Sequence, residues 1–308
     1  MKTRTLTAAI CTAAVVAAAI GITLATTGSS QLGSRSVPGI PAIAPVAKAA
    51  SNEAVDRSYD VGHGNRVYAF WHQGEKNVPW VIKVHGGYWE SGSGHRSDML
   101  DWGVHEQSRG YAAFTVDYRL IPSVHWPTPE LDVETAIRFI RAHLTSWGLD
   151  PSRGFIIGSS AGGLLASVAA LELGGFAGVI TLAGAVDPYE EYLHDPNPKL
   201  RSAALILMDD KTPAQDPKTW QDARAVSHLG TYRPPFLILH SLHDATVNVE
   251  TARRFYGELI AAHYKATLDI VPGDTHPPTS VAAMDDADDW MDHLAHQPSK
   301  AVKVRANK

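Results

Sequence analysis

One short stretch has the residue types and the spacing of an activated serine. Residues 158–162 read Gly-Ser-Ser-Ala-Gly, which fits the pattern G-x-S-x-G, and only Ser160 has a glycine two positions away on both sides. A serine on a sharp turn from a strand to a helix needs small neighbours, because larger side chains would collide with those elements. The free N–H groups at the start of a helix can stabilise a developing oxyanion. The motif therefore predicts Ser160 as a nucleophile and the Ala161 N–H as an oxyanion donor.

A serine hydroxyl is a weak nucleophile without a general base, and two later segments supply candidates. HSLHDATV places Asp244 after one apolar run, and PGDTHPP places His276 after the next one. When a serine elbow of this kind occurs, the acid and the histidine follow it in that order. We therefore predict that Asp244 and His276 complete a triad with Ser160. Asp274 and His243 are the reserve candidates.

A glycine pair earlier in the chain could provide more backbone donors. In WVIKVHGGYWESG, Gly86 and Gly87 follow an apolar run, and glycine lets the backbone approach a substrate closely. We predict that their N–H groups form an oxyanion hole together with that of Ala161. Tyr88 and Trp89 come next and are predicted to line the substrate pocket, with packing beneath the loop as the alternative.

Apolar and β-branched runs alternate with segments of helical periodicity along most of the chain. The predicted strands are 66–71, 80–85, 111–118, 155–157, 178–182, 235–240 and 267–271. The predicted helices are 98–108, 130–147, 164–173, 253–263 and 281–294. This alternation predicts an α/β fold in which helices cover both faces of a mostly parallel central sheet. Residues 187–232 contain several prolines and break the alternation, so we predict a small cap-like insertion there.

The motifs together resemble those of the α/β-hydrolase superfamily. HGGYW, VDYRLIPSVHWP, GSSAGG, HSLHDATV and PGDTHPP are similar, in kind and in order, to motifs of hormone-sensitive-lipase-like and acetylxylan/feruloyl-esterase-like carboxylesterases. The resemblance implies an α/β-hydrolase fold over most of residues 66–290. It also implies that Asp117, Tyr118 and Arg119 are structural.

The predicted reaction is hydrolysis of a carboxylic ester through an acyl-enzyme, without a cofactor. The expected substrates are short acyl or aryl esters, or acylated carbohydrates such as acetylated or feruloylated polysaccharide. An amidase or arylformamidase-like hydrolase with the same triad is the alternative, since Tyr88 stands where many esterases have a third glycine. Ser159 likewise stands where the elbow often has Asp. An inactive binding protein and a prolyl-oligopeptidase-type peptidase are less favoured, because the triad is complete and a short linker cannot hold a propeller domain.

The first 25 residues have a composition of their own. Two basic residues precede an uncharged apolar run at 6–25, which is the layout of a secretory signal. We therefore predict a secreted or extracytoplasmic protein, with an uncleaved membrane anchor as the alternative. The predicted organisation is a signal at 1–25, a linker at 26–50, a catalytic domain at 51–298 and a basic tail at 299–308.

Charge and cysteine content argue against several other functions. The two terminal segments hold eight of the 27 basic side chains and no acidic one, which leaves 19 basic against 32 acidic side chains in the body. A nucleic-acid partner is therefore not expected. The single cysteine, Cys11, lies in the predicted signal, so the mature protein would have neither a cysteine nucleophile nor a cysteine-based metal site.

Two further patterns could suggest a metal but have simpler interpretations. His240 and His243 lie three residues apart, on a loop that already supplies the predicted acid. The acidic run 285–290 fits a solvated helix face that begins at a Thr279 or Ser280 cap. We predict no metal site at either place.

Overall fold

The computed structural model describes residues 57–72 and 74–296, the side chains of residues 281 and 282 excepted. The predicted signal, the linker and the basic tail lie outside these residues. Within the described part of the chain, no helix is long and apolar enough to cross a membrane.

Eight strands form one sheet in the order β1-β2-β4-β3-β5-β6-β7-β8. β2 pairs antiparallel with β1 and β4, and all other neighbours are parallel, which confirms the predicted mostly parallel sheet. The strands are β1 Arg57–Gly62, β2 Asn65–Phe70, β3 Val78–Val84, β4 Ala112–Val116, β5 Leu149–Ser159, β6 Gly178–Leu182, β7 Phe236–Ser241 and β8 Ala266–Val271.

Helices cover both faces of this sheet. α1 and α8 share one buried cluster with the sheet, and α2, α3 and α7 contribute to the other. The helices are α1 Ser97–Ser108, α2 Thr128–His143, α3 Gly162–Leu173, α4 Pro188–His194, α5 Pro198–Leu207, α6 Pro217–Asp222, α7 Val249–Ala261 and α8 Val281–Ala295. A 3-10 turn covers Ala225–His228.

The segment predicted as a cap-like insertion connects β6 to β7 and contains α4, α5 and α6. Its apolar side chains join the main core, with Leu207 and Trp220 fully buried. Trp126, outside the segment, donates its indole N–H to Asp222 at 2.8 Å. The segment is therefore packed into the core on the α3 side of the sheet rather than being a loosely attached flap.

Parallel pairing brings several strand ends to one edge of the sheet. β3, β5, β7 and β8 all end there, and each is followed by a segment in which the sequence predicts chemistry. The carboxyl edge of an open α/β sheet is where such folds place their sites.

Candidate active site

Ser160 lies on a strained turn between β5 and α3. Its φ is +53°, in the left-handed region that a residue with a side chain rarely adopts. The glycine spacing has a steric cause, because a Cβ on Gly158 would lie 2.3 Å from the Gly162 carbonyl oxygen, and one on Gly162 equally close to that of Val84. The turn therefore needs both glycines in order to present the Ser160 hydroxyl.

The structure brings the three predicted triad residues into one hydrogen-bonded chain. His276 Nε2 lies 2.8 Å from Ser160 Oγ, and His276 Nδ1 lies 2.7 Å from Asp244 Oδ2. The second carboxylate oxygen of Asp244 accepts the N–H groups of Thr246 and Val247 at 2.8 and 3.1 Å. Burial acts to raise the pKa of Asp244, but the hydrogen bonds from His276 and the backbone outweigh it and hold that pKa below its usual value. Asp244 is thus a fixed anion beside the imidazole.

The two reserve candidates lie elsewhere. Asp274 and His243 are exposed, and neither side chain belongs to the hydrogen-bonded chain at Ser160. His240 is fully buried, and its Nε2 donates to the Val247 carbonyl at 2.9 Å. Burial lowers the pKa of His240, so the ring is neutral there. His240 and His243 thus lie in different environments, one buried and bonded to the backbone and the other exposed.

Two peptide groups beside Ser160 are held by their carbonyls. The Gly86 carbonyl accepts His85 Nδ1–H at 2.8 Å, and the Ser160 carbonyl accepts the N–H groups of Gly163 and Ala185 at 2.8 and 2.9 Å. In a trans peptide the N–H points opposite to the C=O. The N–H groups that follow these carbonyls, on Gly87 and Ala161, are thereby fixed in direction.

The side chain of His85 holds the glycine loop in place beside Ser160. Burial lowers the pKa of His85 to about 4, so the ring is neutral and its N–H on Nδ1 is a dedicated donor. The ring stacks on Tyr118 with centroids 4.2 Å apart. Close approach requires the glycines, because a Cβ on Gly86 would lie 2.8 Å from Ser160 Cβ, and one on Gly87 would lie 1.9 Å from the Ser91 carbonyl oxygen.

The two aromatic residues after the glycines have different environments. Tyr88 lines the cavity beside Ser160. Trp89 is fully buried, and its indole N–H donates to the Ala161 carbonyl at 3.0 Å. The prediction that Trp89 contacts substrate is therefore wrong, because the side chain points into the core and ties the oxyanion loop to the first turn of α3.

The three residues that the resemblance implies to be structural hold loops near the site. Asp117 accepts the Ser93 hydroxyl at 2.8 Å and the Gly94 N–H at 2.7 Å. Tyr118 donates its hydroxyl to the His85 carbonyl at 3.0 Å. Arg119 makes a two-point ion pair with Asp132 on α2, at 2.8 Å to each carboxylate oxygen.

A cavity of about 620 Å³ adjoins Ser160 and His276. Its lining comes from the glycine loop, from α1, from β3 and from the segment 276–285, and none of its lining residues belongs to 187–232. The sequence reasoning missed the wall formed by Met99, Trp102 and Lys83. A lysine inside the apolar run WVIKV was the available signal, because a charged residue in a buried strand is unusual.

The acidic run on α8 is only partly a solvated face. The predicted cap is confirmed, since Ser280 Oγ accepts the Ala283 N–H. Asp288, however, is buried and bonds His105 at 2.7 Å and Arg109 at 2.9 Å. Oxygen and nitrogen atoms of His105, Glu106 and Asp288 lie within 4.8 Å of one another, as metal ligands could. The Arg109 guanidinium supplies the positive charge at this cluster, which therefore ties α1 to α8.

Comparison with known proteins adds the family to this geometry. Residues 68–259, more than half of the chain, match the sequence profile of the BD-FAE family. The chain belongs to the BD-FAE family. Taken with the esterase relatives and the solved structure described next, this match confirms the predicted resemblance to an α/β-hydrolase carboxylesterase family.

Named relatives of this BD-FAE chain agree with that result. It is 31% identical over 194 residues to the probable carboxylic ester hydrolase LipM of Mycobacterium tuberculosis, covering 59% of this chain and 45% of LipM. It is 29% identical over 201 residues to esterase LipC of the same organism, covering 60% of this chain and 49% of LipC. The chain thus spans about half the length of these curated relatives.

A solved structure supports the fold. Esterase B of Lactobacillus rhamnosis superposes with a TM-score of 0.65 at 20% identity, covering 80% of this chain and 87% of that one. At this identity the likeness shows a shared α/β-hydrolase fold. The fold alone does not define the substrate.

Proposed function

We propose that this chain is a serine hydrolase that cleaves carboxylic esters through an acyl-enzyme. The observation that carries the proposal is the unbroken hydrogen-bonded chain from Ser160 through His276 to Asp244 at the wall of a cavity. The names of LipM and LipC, a carboxylic ester hydrolase and an esterase, support the same reaction class.

In the proposed first half-reaction, Ser160 Oγ attacks the ester carbonyl carbon while its proton passes to His276 Nε2. The carbonyl oxygen becomes an oxyanion, for which the N–H groups of Gly87 and Ala161 are the donors best fixed in direction, with that of Gly86 beside them. Asp244 stabilises the imidazolium. Collapse of the intermediate breaks the bond to the alcohol oxygen, which takes the proton from His276 Nε2.

In the second half-reaction, a water molecule replaces the alcohol. His276 Nε2 accepts its proton as the water oxygen attacks the acyl carbon. The bond to Ser160 Oγ then breaks, and the serine regains the proton. The products are one alcohol and one carboxylic acid for each water consumed.

Labelling and hydrolysis together test this proposal. The parent protein is expected to hydrolyse 4-nitrophenyl butyrate and to react with a fluorophosphonate at Ser160. Ser160→Ala is expected to lose both properties, whereas the matched Ser159→Ala variant should keep most of the activity. Labelling at Ser159, or hydrolysis by folded Ser160→Ala protein, would overturn the proposal.

Amide cleavage is the second candidate, and Tyr88 is the residue that favours it. The HGGYW loop resembles that of arylformamidases, and Tyr88 lines the cavity beside the serine. Comparison of kcat/KM on phenyl acetate, acetylated xylan, methyl ferulate and formanilide separates these substrate classes. We infer ester preference, so a higher value on formanilide would reject it.

We also propose that the protein is exported from the cytoplasm. The basic start and the apolar run of residues 1–25 support a cleaved secretory signal. Expression in a bacterial host should yield an extracytoplasmic protein whose new N-terminus lies beyond this run. A protein that keeps residue 1 and sediments with membranes would indicate an anchor instead.

A further inference from the structure

A lysine ammonium lies in the wall of the cavity, away from the triad. Lys83 belongs to β3, and its neighbours Ile82 and Val84 face the α2–α3 side of the sheet. Side chains alternate along a strand, so Lys83 faces the opposite side, toward α1. It is 9% exposed and lines the same cavity as Ser160.

The ammonium makes no hydrogen bond or ion pair with a described residue. Of the two nearby carboxylates, Asp98 pairs with Arg96 at 2.6 Å and Oε2 of Glu106 pairs with Arg109 at 2.6 Å. Oε1 of Glu106 is buried and has no hydrogen-bond partner among the described residues, so it does not engage the ammonium either. The Lys83 nitrogen lies 5.1 Å from the centroid of the Trp102 ring, a cation–π contact that leaves the ammonium without an oxygen acceptor. Three N–H donors are therefore available to whatever occupies the cavity.

The Lys83 amine stays mostly protonated at pH 7, although burial lowers its pKa. Loss of hydration lowers the pKa of Lys83 to about 8, and the fields of Asp98 and Glu106 oppose that effect. A buried cation without a hydrogen-bonded partner is unfavourable, and an anion that reaches it relieves that cost.

We propose that this end of the cavity is a subsite for a carboxylate carried by the ester substrate, with the Lys83 ammonium as the group that recognises it. This inference rests on the proposed ester hydrolysis at Ser160. The remaining wall includes Met99, Trp102, Leu182 and Met284, so the part of the substrate between ester and carboxylate is apolar.

The other charges around the cavity favour a single negative charge on the ligand. Asp98 and Asp101 on α1 and Asp285 on α8 line it and are exposed, and Arg96 neutralises the first of them. His105 lines it as well and bonds the buried carboxylate of α8. These rim carboxylates would repel a dianion more than a monoanion, and one lysine is a point charge that suits one carboxylate.

Binding to Ser160→Ala protein tests the subsite without turnover. Calorimetry would compare the monomethyl esters of succinic to suberic acid with the corresponding dimethyl esters. We expect the best monomethyl ester to bind at least about tenfold more tightly than its dimethyl ester, because a hydrogen bond between two charged groups replaces one to a neutral group. Equal affinities throughout the series would overturn the inference.

A lysine variant and a matched control locate the effect. In the same background, Lys83→Met should remove the preference for the monomethyl ester, and Lys265→Met, at an exposed lysine before β8, should retain it. A preference that persists in Lys83→Met would refute the subsite. Equal losses for both ester types would mean that Lys83 binds a neutral acceptor, which also refutes it.

A pH series keeps the test independent of whether Lys83→Met folds. With a pKa of about 8, the protonated fraction of Lys83 falls about tenfold between pH 7 and pH 9, so affinity for the monomethyl ester should fall with it. Affinity for the dimethyl ester should change much less. A constant preference over this range would reject the ammonium as the recognising group. Hydrolysis of 4-nitrophenyl butyrate by the parent protein reports on the proposed function separately.

Discussion

Each oxygen of Asp244 has a different task in this site. Oδ1 is occupied by two backbone N–H groups, and only Oδ2 faces the His276 ring. The loop thereby fixes which imidazole nitrogen carries the proton, and it leaves Nε2 free to accept from Ser160. The proposed role of Asp244 is therefore exerted through His276 rather than on the substrate.

Asp244→Asn should therefore fold and yet lose on the order of 10³ to 10⁴ in kcat, because an amide neither fixes the tautomer nor stabilises the imidazolium. Ester hydrolysis at saturating substrate measures the loss, and thermal unfolding checks the fold. Asp274→Asn is the matched control at an exposed position and should stay within a few-fold of the parent protein. The reverse result, with Asp274→Asn the crippled variant, would show that the wrong acid has been chosen.

The burial of Trp89 leads to a prediction about stability rather than specificity. Trp89→Phe keeps most of the packing but removes the indole N–H, which is the one side-chain donor to the buried Ala161 carbonyl among the described residues. We expect a loss of about 1–3 kcal/mol in the free energy of unfolding, measured by urea titration. Relative kcat/KM values across a series of acyl chain lengths should stay the same. A changed chain-length preference in the stable variant would restore Trp89 as a substrate contact.

At the residue scale, the sequence did not predict where the side chains of Trp89 and Lys83 point. The triad was predictable because its residue types, glycine spacing and order are constrained by the chemistry itself. The direction of a side chain after the glycine pair depends on backbone dihedrals, and Trp89 has a φ of +60° that residue type does not reveal. The role of Lys83 depends on which face of β3 borders the cavity.

At the scale of elements, the first turn of α2 contains an unfavourable carboxylate. Glu130 is 4% exposed, and its Oε1 has no hydrogen-bond partner among the described residues. Burial, followed by the fields of Glu134, Glu172 and Asp222, raises the pKa of Glu130 to about 8. The folded state therefore prefers the neutral acid, and ionisation favours unfolding.

Glu130→Gln should stabilise the protein in a pH-dependent way. The folded pKa exceeds the usual 4.5, so the parent loses stability as pH rises from about 4.5 to about 8. The advantage of the variant should be small at pH 4.5, grow through this window and level off above pH 8. Urea titrations across the window measure it, with Glu250→Gln on the exposed start of α7 as the control. An advantage that is constant with pH would contradict this account.

Predicted and observed elements differ where the apolar pattern is weak. The central strands were recognised because they are buried on both faces and read as continuous apolar runs. β1, with the sequence RSYDVG, was missed because it is a half-exposed edge strand. β5 begins six residues earlier than predicted because Leu149–Gly154 is polar at its centre. The helices between β6 and β7 are short and start with prolines, so periodicity was a poor guide.

At the scale of the whole molecule, no residue of the segment predicted as a cap lines the cavity beside the triad. That segment supports the site from outside, because Asn197 donates to the Tyr88 hydroxyl at 3.2 Å and to the Thr246 carbonyl at 2.9 Å. The sequence indicated the carboxyl edge of the sheet as the place of the site, because all three triad residues follow strands. It did not indicate that the cavity would lie on the α1 side of the sheet. The side of the sheet on which the cavity lies depends on the space left between the packed helices and the sheet. No local sequence pattern determines that space. The wall of the cavity opposite the glycine loop is therefore formed by α1 and by residues 276–285.

β1 is the first described strand of the predicted catalytic domain, which begins at residue 51. Its contacts indicate that the domain needs it for stability. β1 pairs with β2 along the strand, from Arg57 opposite Ala69 to Gly62 opposite Asn65. The Tyr59 ring lies 5.3 Å from the rings of both Phe139 and Trp147, centroid to centroid. These contacts join the edge of the sheet to α2 and to the turn that follows it.

A protein that begins at residue 51 should consequently keep the melting temperature and the kcat/KM of a longer form that begins at residue 26. All proposed catalytic residues and the whole cavity lining lie between residues 83 and 285, within the described part of the chain. A protein that begins at residue 65 is the matched comparison. Removal of β1 exposes the Tyr59 contact surface and the backbone edge of β2, so its melting temperature should fall by several degrees or more. Equal stability of all three forms would show that β1 contributes little, and lost activity in the form beginning at residue 51 would place part of the catalytic unit in the preceding segment.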